Sequence, residues 1–373
     1  MHKVVKWYDE SKNKWLTEQE AGELSEDYMC IWGTNINIAR AIPDVRDGCK
    51  PIVRRMLYST YITCGNKYFK VASATGDVLH LSPHGDASIN EAFNQLAQTF
   101  NNNVCLYNAT GNAGTVLRGD DGAAPRYLTM KLSKFAQEVF FDDFDKRVDM
   151  RPSFDDTMEE PIILPAKFPM VLLNGTAGIG YTVSTNVPPY NLNEIADATI
   201  KLIQNPDAPI RLIPDSPTGC GIMVNDKKPD SFAWIATAQC DPENYTITFT
   251  HLPYHVFLND IDDRIRQIMK SSKPIQGIIQ VSHDSDMMDD KIAYTIICKP
   301  GSNVYKILGE LYNRVSGLKS SFSASNLLVV DIENELNWIK TTDRPYLTIE
   351  AVVNELADRK NVIFESVKDL IVL

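Results

Sequence analysis

The sequence predicts an α+β protein, and three observations lead to that prediction. Apolar residues between positions 89 and 100 recur at the i, i+3, i+4 and i+7 spacing of one buried helix face. After Pro152 the chain changes to short apolar runs separated by proline and glycine, with β-rich stretches at 245–250 and 292–297. Helical stretches at 260–269 and 304–314 alternate with those strands. We therefore expect a helical first part and a separate α+β unit after it.

A helix is predicted to begin at Pro51, because proline fits the first helical turn, where its missing N–H costs nothing. Pro43 and Pro51 interrupt the helical pattern that begins near residue 28. The helix from Pro51 carries Arg54 and Arg55, and we expect this pair on its exposed side. Residues 1–27 before it are polar and acidic, which indicates an arm that needs a partner surface to fold on.

The helix with the periodic apolar face has two candidate starts. Asp86 could cap it, and Ser88 with Glu91 has the spacing of a capping box. The apolar face itself consists of Ile89, Ala92, Phe93, Leu96, Ala97 and Phe100. Near the end of the chain a second apolar series has the spacing of about 3.5 residues that is typical of a coiled-coil seam. Its members are Ile349, Val352, Leu356, Ile363, Val367 and Leu370.

Composition is that of an ordinary globular protein. The 373 residues suggest two or three domains, and 44% are apolar and 23% charged. The first residues lack the apolar core of a signal peptide, and no apolar run approaches the roughly 20 residues that cross a bilayer. We therefore expect a cytoplasmic protein, or one of the host cytoplasm if it is viral, with no membrane partner.

The seven cysteines are scattered and include no C-x-x-C pair. An odd number at irregular spacing argues against a disulfide framework and against a zinc site. We expect free, buried thiols.

Charge is distributed unevenly along the chain. Residues 40–134 contain eleven Lys or Arg against seven Asp or Glu, whereas the whole chain has a net charge of −11. Binding to nucleic acid depends on clustered cations more than on total charge. A basic stretch of +4 within an otherwise acidic chain is compatible with DNA binding.

Seven sequence blocks resemble those of the A subunits of DNA gyrase and topoisomerase IV, in the order and at the spacing of that family. They are ARAIPDVRDGCKPIVRR (39–55), GDV (76–78), PHGD (83–86), GNAG (111–114), AAPRY (123–127), NGTAGIG (174–180) and TNVPPYNL (185–192). The blocks extend from residue 39 to residue 192, and seven matches in the family's order and spacing are too many for chance agreement. The chain is therefore identified as similar to the breakage-reunion core of this type IIA topoisomerase family.

The resemblance implies the architecture. We expect an N-terminal arm (1–27), a winged-helix DNA breakage domain (28–155), an α/β tower domain (156–325) and the beginning of a coiled coil (326–373). The full coiled-coil gate and the C-terminal DNA-wrapping domain of the family have no counterpart in these residues. Two alternatives stay open, a fragment of a longer protein and a naturally reduced version such as a viral one.

The resemblance also implies the chemistry. Spacing alone does not single out Tyr127 among fifteen tyrosines, but the tyrosine at this family position attacks a DNA phosphate and retains the 5′ end. By the same match, Arg126 would clamp the scissile phosphate and Arg40 would stabilise the charge of the transition state. His84 would assist proton transfer or hold the phosphate.

Further DNA contacts are implied by position in the same blocks. Lys50, Arg54 and Arg55 would hold neighbouring phosphates without selecting a sequence. Ile179 stands where the family inserts an apolar wedge into a base step, which bends the duplex. From the residues alone, an ordinary core isoleucine in a glycine-rich turn is the alternative.

Two departures from the family pattern affect this site. Ser82 replaces the first histidine of the family's His-Pro-His-Gly-Asp, and whether His80 or Ser82 compensates stays open. Ala87 and Glu91 stand where the family has the serine and the acidic residue that anchor quinolone drugs. The hydroxyl is therefore absent and the carboxylate is retained.

The family's division of labour implies the partners and cofactors. No ATPase signature and no acidic cluster of the Mg²⁺-binding Toprim type is visible in the sequence. The resemblance places both Mg²⁺ and ATP on a B-type subunit, which would join a homodimer of this chain on double-stranded DNA as an A2B2 assembly. The alternative is a DNA-binding or partner-binding module that has kept the fold and lost the reaction.

Overall fold

The computed structural model describes residues 5–9, 14–18, 21–117, 122–142, 144, 148–205, 208–225, 227–228, 231–283, 292–323, 327–330 and 336–339. Helices and strands are both abundant, so the predicted α+β class is confirmed. The helices are α1 (Ala21–Ile36), α2 (Pro51–Cys64), α3 (Val71–Leu79), α4 (Asp86–Ala97), α5 (Lys134–Phe140), α6 (Met170–Leu173), α7 (Leu192–Gln204), α8 (Leu258–Lys270) and α9 (Val304–Arg314), and a π-helix (Asn37–Ala41) continues α1.

The strands form seven small antiparallel sheets among the described residues. They are β1 (Val5–Asp9), β2 (Lys14–Glu18), β3 (Phe69–Lys70), β4 (Tyr107–Thr110), β5 (Thr129–Leu132), β6 (Met150–Pro152), β7 (Glu159–Pro161), β8 (Thr176–Ile179), β9 (Ser184–Val187), β10 (Gly221–Val224), β11 (Ser231–Ile235), β12 (Thr237–Asp241), β13 (Thr246–His251), β14 (Ile278–His283), β15 (Tyr294–Cys298), β16 (Lys319–Ser323), β17 (Leu327–Val330) and β18 (Leu336–Ile339).

The first hydrophobic core lies between α2, α3 and α4 and a three-stranded sheet of order β3-β5-β4. Phe93 of the periodic helix packs edge-on against Tyr107 of β4, with ring centroids 5.2 Å apart. The hydroxyl of Tyr107 is buried and lies 3.0 Å from that of Thr60 on α2, so its burial does not leave a polar atom unpaired. This core continues through α6 to Leu202 of α7, beyond the domain boundary expected at residue 155.

The second core lies under a four-stranded sheet of order β12-β13-β15-β14, against α8 and α9. The β-rich and helical stretches predicted for this part of the chain are confirmed as β13, β15, α8 and α9. Asn303 caps α9 by accepting from the N–H of Lys306 at 3.1 Å. Phe100 and Val116, from the part of the chain next to the first core, also belong to the second core: Phe100 packs edge-on against Phe257, and the N–H of Leu258 donates to the carbonyl of Val116.

Residues 327–330, expected in the coiled-coil region, form a buried strand instead. The N–H of Val330 donates to the carbonyl of Pro43 at 2.9 Å. The carbonyl of Val330 accepts from the N–H of Val45, also at 2.9 Å. Thr185 Oγ1 donates to the Leu328 carbonyl at 2.7 Å. A run of four apolar residues suits a strand buried on both faces, which returns the chain to the first core. The predicted seam from Ile349 onward lies outside the described residues.

Other local predictions have mixed outcomes. Helix α2 begins at Pro51 as predicted, whereas α1 begins at Ala21, inside the expected arm. The capping box is wrong: Gly85 is the N-cap of α4, and neither Asp86 nor Ser88 caps it. All seven cysteines are free, but only Cys49, Cys220 and Cys298 are buried. In the described part of the chain, no helix is long and apolar enough to cross a bilayer.

Candidate active site

Tyr127 lies at the surface, in the turn that leads into β5, and 68% of it is exposed. Its backbone N–H donates to the carbonyl of Ala124 at 2.8 Å, which fixes the turn. The guanidinium carbon of Arg126 lies 4.7 Å from the centroid of the Tyr127 ring, a cation–π contact. Within the part of the chain that is described, no hydrogen bond engages the Tyr127 hydroxyl. The phenol is therefore accessible to a large substrate and has a cation beside it.

Arg40, His84 and Arg55 form a second group of predicted site residues. Arg40 is exposed in the last turn of the π-helix, and His84 lies in the loop between α3 and α4. Burial lowers the pKa of His84 below its ordinary value, and the positive charges of Arg40 and Arg55 lower it further. His84 is therefore neutral at neutral pH and can accept a proton.

The two groups do not contact each other. Among the described residues, no hydrogen bond, ion pair or ring contact joins Tyr127 or Arg126 to the group of Arg40, His84 and Arg55.

Arg55 is held by Glu160, a buried carboxylate on β7. The Nε and Nη2 of Arg55 donate to the two carboxylate oxygens of Glu160 at 2.5 and 3.1 Å. The Nε of Arg151 donates to the same carboxylate at 3.0 Å. Burial would raise the pKa of Glu160, but the hydrogen bonds and charges of both arginines outweigh burial and lower it. Two cations against one anion leave a positive charge here, and Arg151 is half exposed. Neither Glu160 nor Arg151 was predicted from the sequence, because no local pattern links positions 151 and 160 to Arg55.

The prediction of an exposed arginine pair is wrong: the side chain of Arg55 is only 13% exposed, and Arg54 does not face solvent. Its side chain is 7% exposed, and its Nε and Nη2 donate to Asp47 at 2.6 and 3.0 Å. Burial would lower the pKa of Arg54, but the charge and hydrogen bonds of Asp47 raise it. The same carboxylate accepts from the N–H groups of Cys49 and Leu164. The ion pair joins the start of α2 to the chain near residue 164, and Arg54 is not available to a phosphate.

Lys50 is half buried and contacts the hairpin formed by β8 and β9. Its Nζ donates to the carbonyl of Ala177 at 2.5 Å, and burial lowers the pKa of this lysine. At the tip of the same hairpin, Ile179 is 91% exposed. The alternative of an ordinary core isoleucine is therefore wrong.

The two positions associated with quinolone binding, Ala87 and Glu91, are both exposed near the start of α4. They lie four residues apart, hence on the same face of the helix. Glu91 accepts from the side-chain amide of Gln95 at 2.9 Å. The neighbouring Ser88 does not replace the missing hydroxyl, because its own hydroxyl donates to the Gly85 carbonyl at 2.9 Å.

The residues considered as substitutes for the missing histidine differ in environment. His80 is exposed at the end of α3. Ser82 is buried, and its hydroxyl accepts from the backbone N–H of His84 at 3.4 Å. Among the described residues, no three His, Cys, Asp or Glu side chains come together as a metal site requires.

Comparison with known proteins shows where the chain belongs. A family model for the A subunit of DNA gyrase/topoisomerase IV matches residues 40–369. The chain is 34% identical over 341 residues to the DNA gyrase A subunit of Lawsonia intracellularis, which covers 86% of this chain and 41% of that protein. It is 31% identical over 356 residues to the chloroplastic/mitochondrial DNA gyrase A subunit of Arabidopsis thaliana, with coverage of 89% and 37%.

The similarity extends across both cores. A second bacterial relative, the DNA gyrase A subunit of Clostridium acetobutylicum, is 34% identical over 363 residues, which is 92% of this chain and 43% of that protein. The chain thus spans about two fifths of the length of these curated relatives. Because the family match begins at Arg40 and continues through both cores, the chain belongs to the A-type family of DNA gyrase and topoisomerase IV subunits, within the type IIA topoisomerases.

Proposed function

We propose that this chain is the DNA-cleaving and religating subunit of a type IIA topoisomerase, with Tyr127 as the nucleophile. The Tyr127 oxygen forms a bond to a backbone phosphorus, the bond to the 3′ oxygen breaks, and the 5′ end stays on the tyrosine. Religation reverses these steps, and one phosphodiester replaces another each time. The observation that carries the proposal is an exposed tyrosine with a guanidinium beside it, in a chain of this family.

The other predicted site residues supply what a phenol lacks. A tyrosine hydroxyl has a pKa near 10, so it is a weak nucleophile until a base or a cation assists it. Neutral His84 is suited to accept the proton or to hold the phosphate, and Arg40 and Arg126 are suited to stabilise the charge that develops on the phosphate oxygens. Lys50 and Arg55 hold neighbouring phosphates, and Ile179 enters a base step.

The architecture supports the same proposal. The three helices α2 to α4 and the sheet β3-β5-β4, whose strand β3 lies between α2 and α3 in the chain, have the composition of a winged-helix unit. We assign the sheet β12-β13-β15-β14 with α8 and α9 to a tower domain. The assembly is a homodimer on double-stranded DNA with a Toprim/ATPase B-type subunit, which binds Mg²⁺ and ATP.

The test is reconstitution with a gyrase B-type subunit, Mg²⁺ and a duplex labelled at one 5′ or one 3′ end. A denaturant should trap the chain covalently on the newly formed 5′ ends of a double-strand break. The labelled end distinguishes this linkage from attachment at the new 3′ ends. DNA binding without any adduct would instead support the non-catalytic module.

Cleavage should decline at acidic pH when His84 becomes protonated. Replacing Arg55 with glutamine removes a nearby positive charge, so the pKa of His84 should rise and the acidic limb should move to higher pH. The measurement is adduct yield against pH. Arg266→Gln, on the exposed pair of α8, is the matched control and should leave the limb in place. If the acidic limb of the adduct yield lies at the same pH in Arg55→Gln as in the parent, a group other than His84 controls it.

Quinolones should trap cleaved DNA weakly, and Ala87→Ser should strengthen trapping. A hydroxyl four residues before Glu91 restores the missing ligand, and one hydrogen bond is worth up to about 1.5 kcal/mol, or about tenfold in drug concentration. Titration of adduct yield with drug measures the effect. Ser88→Ala is the control and should change little, since that hydroxyl is engaged with Gly85. Equal drug response before and after Ala87→Ser would exclude this face of α4.

A further inference from the structure

The exposed wedge residue Ile179 is carried by a hairpin that is fixed at its tip to the helix bearing Arg40. The tip is tight: the N–H of Gly180 donates to the carbonyl of Val183 at 2.8 Å, and Thr182 has a φ of 62°. Tyr181, in the loop between the two strands, lies against α1. Its ring centroid is 5.3 Å from that of Trp32 in an edge-on contact.

Asn37 makes the closest polar link between these elements. Its side chain is buried, its Nδ2 donates to the Tyr181 carbonyl at 3.1 Å, and its Oδ1 accepts from the Tyr181 N–H at 2.6 Å. One amide therefore satisfies both backbone groups of a residue 144 positions away. Such a two-bond bridge fixes distance and orientation together, which a single hydrogen bond does not.

The same residue also closes the π-helix. The carbonyl of Asn37 accepts from the N–H of Ile42 at 3.0 Å, and Arg40 lies within the turn that this bond encloses. Single π-helical turns are rare and occur frequently at functional sites. Asn37 is thus connected through its backbone to the segment with Arg40, and through its side chain to the tip next to Ile179.

Steric contact reinforces the link. A Cβ on Gly178 would collide with the carbonyl oxygen of Ala41, and a Cβ on Gly33 would collide with the ring of Tyr181. The hairpin and the helix therefore approach as closely as glycine allows. At the base of the hairpin, Lys50 Nζ donates to Ala177.

We propose that Asn37 is a positioning residue that holds the DNA wedge Ile179 in fixed register with Arg40. Ile179 then enters a base step at the same time as Arg40 contacts a phosphate. Only a duplex bent by Ile179 therefore places its phosphate against Arg40. This inference rests on the proposed function for its substrate. Bending requires unstacking of a base step, and a mismatched or flexible step reduces that requirement.

The test is a double-mutant cycle in which DNA bending is measured. Every variant of the chain also carries Tyr127→Phe, so that no DNA is cleaved, and is combined with a B-type subunit. Energy transfer across an end-labelled duplex reports the bent population. Asn37→Ala should reduce the ratio of bent to straight duplex about tenfold. In a series of duplexes that each carry one mismatch at a different base step, a mismatch at the step that Ile179 enters should restore bending. In an Ile179→Ala background, Asn37→Ala should have no further effect, because positioning acts through the wedge.

Asn191→Ala is the matched control for stability. This substitution at the N-cap of α7 removes three hydrogen bonds: Asn191 Oδ1 accepts from the N–H groups of Asn193 and Glu194, and its Nδ2 donates to Asp215 at 3.4 Å. None of these partners belongs to the hairpin. It should leave the bent population unchanged at temperatures where the protein stays folded. Additive losses for Asn37 and Ile179, no rescue by any mismatch, or an unbent duplex with the parent side chains would each overturn the inference. Absence of a covalent adduct in the Tyr127 protein would overturn the proposed function separately.

Discussion

Tyr127→Phe should abolish the covalent adduct while DNA binding stays within about twofold of the parent. Only one oxygen atom is removed, and the ring that carries the Arg126 contact is retained. Loss of a nucleophile has no partial substitute in the chemical step, so the cleavage rate should fall by more than about a thousandfold. The measurement is denaturant-resistant protein–DNA adduct with Mg²⁺ and the B-type subunit present, alongside DNA affinity at one fixed salt concentration.

Tyr68→Phe is the matched control for this experiment. Tyr68 is also exposed, and Lys131 Nζ lies 4.9 Å from the centroid of its ring, so it shares the environment of Tyr127 without the family position. The adduct should form normally in this variant. If adduct survives in Tyr127→Phe, Tyr127 is not the nucleophile. If adduct also disappears in Tyr68→Phe, its loss in Tyr127→Phe does not identify the nucleophile.

Arg54→Ala should destabilise the protein by about 3–5 kcal/mol, because it leaves the fully buried carboxylate of Asp47 without its cation. Chemical denaturation gives the change in unfolding free energy. Arg266→Ala on α8 removes an exposed i, i+4 pair with Asp262 and should cost only about 0.3–0.5 kcal/mol. Similar losses in the two variants would show that the Arg54 pair is not buried in solution.

The same ion pair separates a structural role from DNA contact. A double variant, Asp47→Asn with Arg54→Gln, removes both charges together and should fold, since the amide oxygen introduced at position 47 can still accept from the N–H groups of Cys49 and Leu164. Its slope of log K against log salt should equal that of the parent. Arg55→Gln or Lys50→Gln should flatten the slope by about 0.9 for each phosphate that is no longer neutralised. An equally flattened slope in the double variant would show that Arg54 contacts a DNA phosphate.

Two neighbouring arginines show why part of the site could not be predicted. In sequence Arg54 and Arg55 form one basic pair, but adjacent residues on a helix point in directions about 100° apart. One side chain meets Asp47 inside the protein and the other meets Glu160 at the edge of the site. The partners lie 7 and 105 residues away, and Asp47 precedes the helix, so neither pairing follows from the periodicity of α2.

Residues 327–330 illustrate the same limit for secondary structure. Four consecutive apolar residues are compatible with a buried strand or with part of a helix, and length alone does not separate them. The strand forms because Pro43, Val45 and Thr185 offer hydrogen-bonding groups along one edge. Those groups are about 140 to 290 residues distant in sequence, so no local pattern contains them.

The sequence by itself determined the elements whose signals are local. Pro51 opens α2, the periodic face of α4 packs into the first core, and the helical and β-rich stretches after residue 245 form α8, α9, β13 and β15. The motif blocks likewise predicted the family that the comparisons confirm. These features depend on backbone propensity, on periodicity or on the order of short motifs, all of which are present in the linear chain.

Only the tertiary structure decided which charges face outward and which elements are joined. It buried Arg54, placed His84 beside Arg40 and Arg55, exposed Ile179, and tied the hairpin of Ile179 to Asn37. The physical reason is that burial and electrostatic environment are set by groups distant in sequence. A charge or an apolar side chain acquires its role from the partners that folding brings to it.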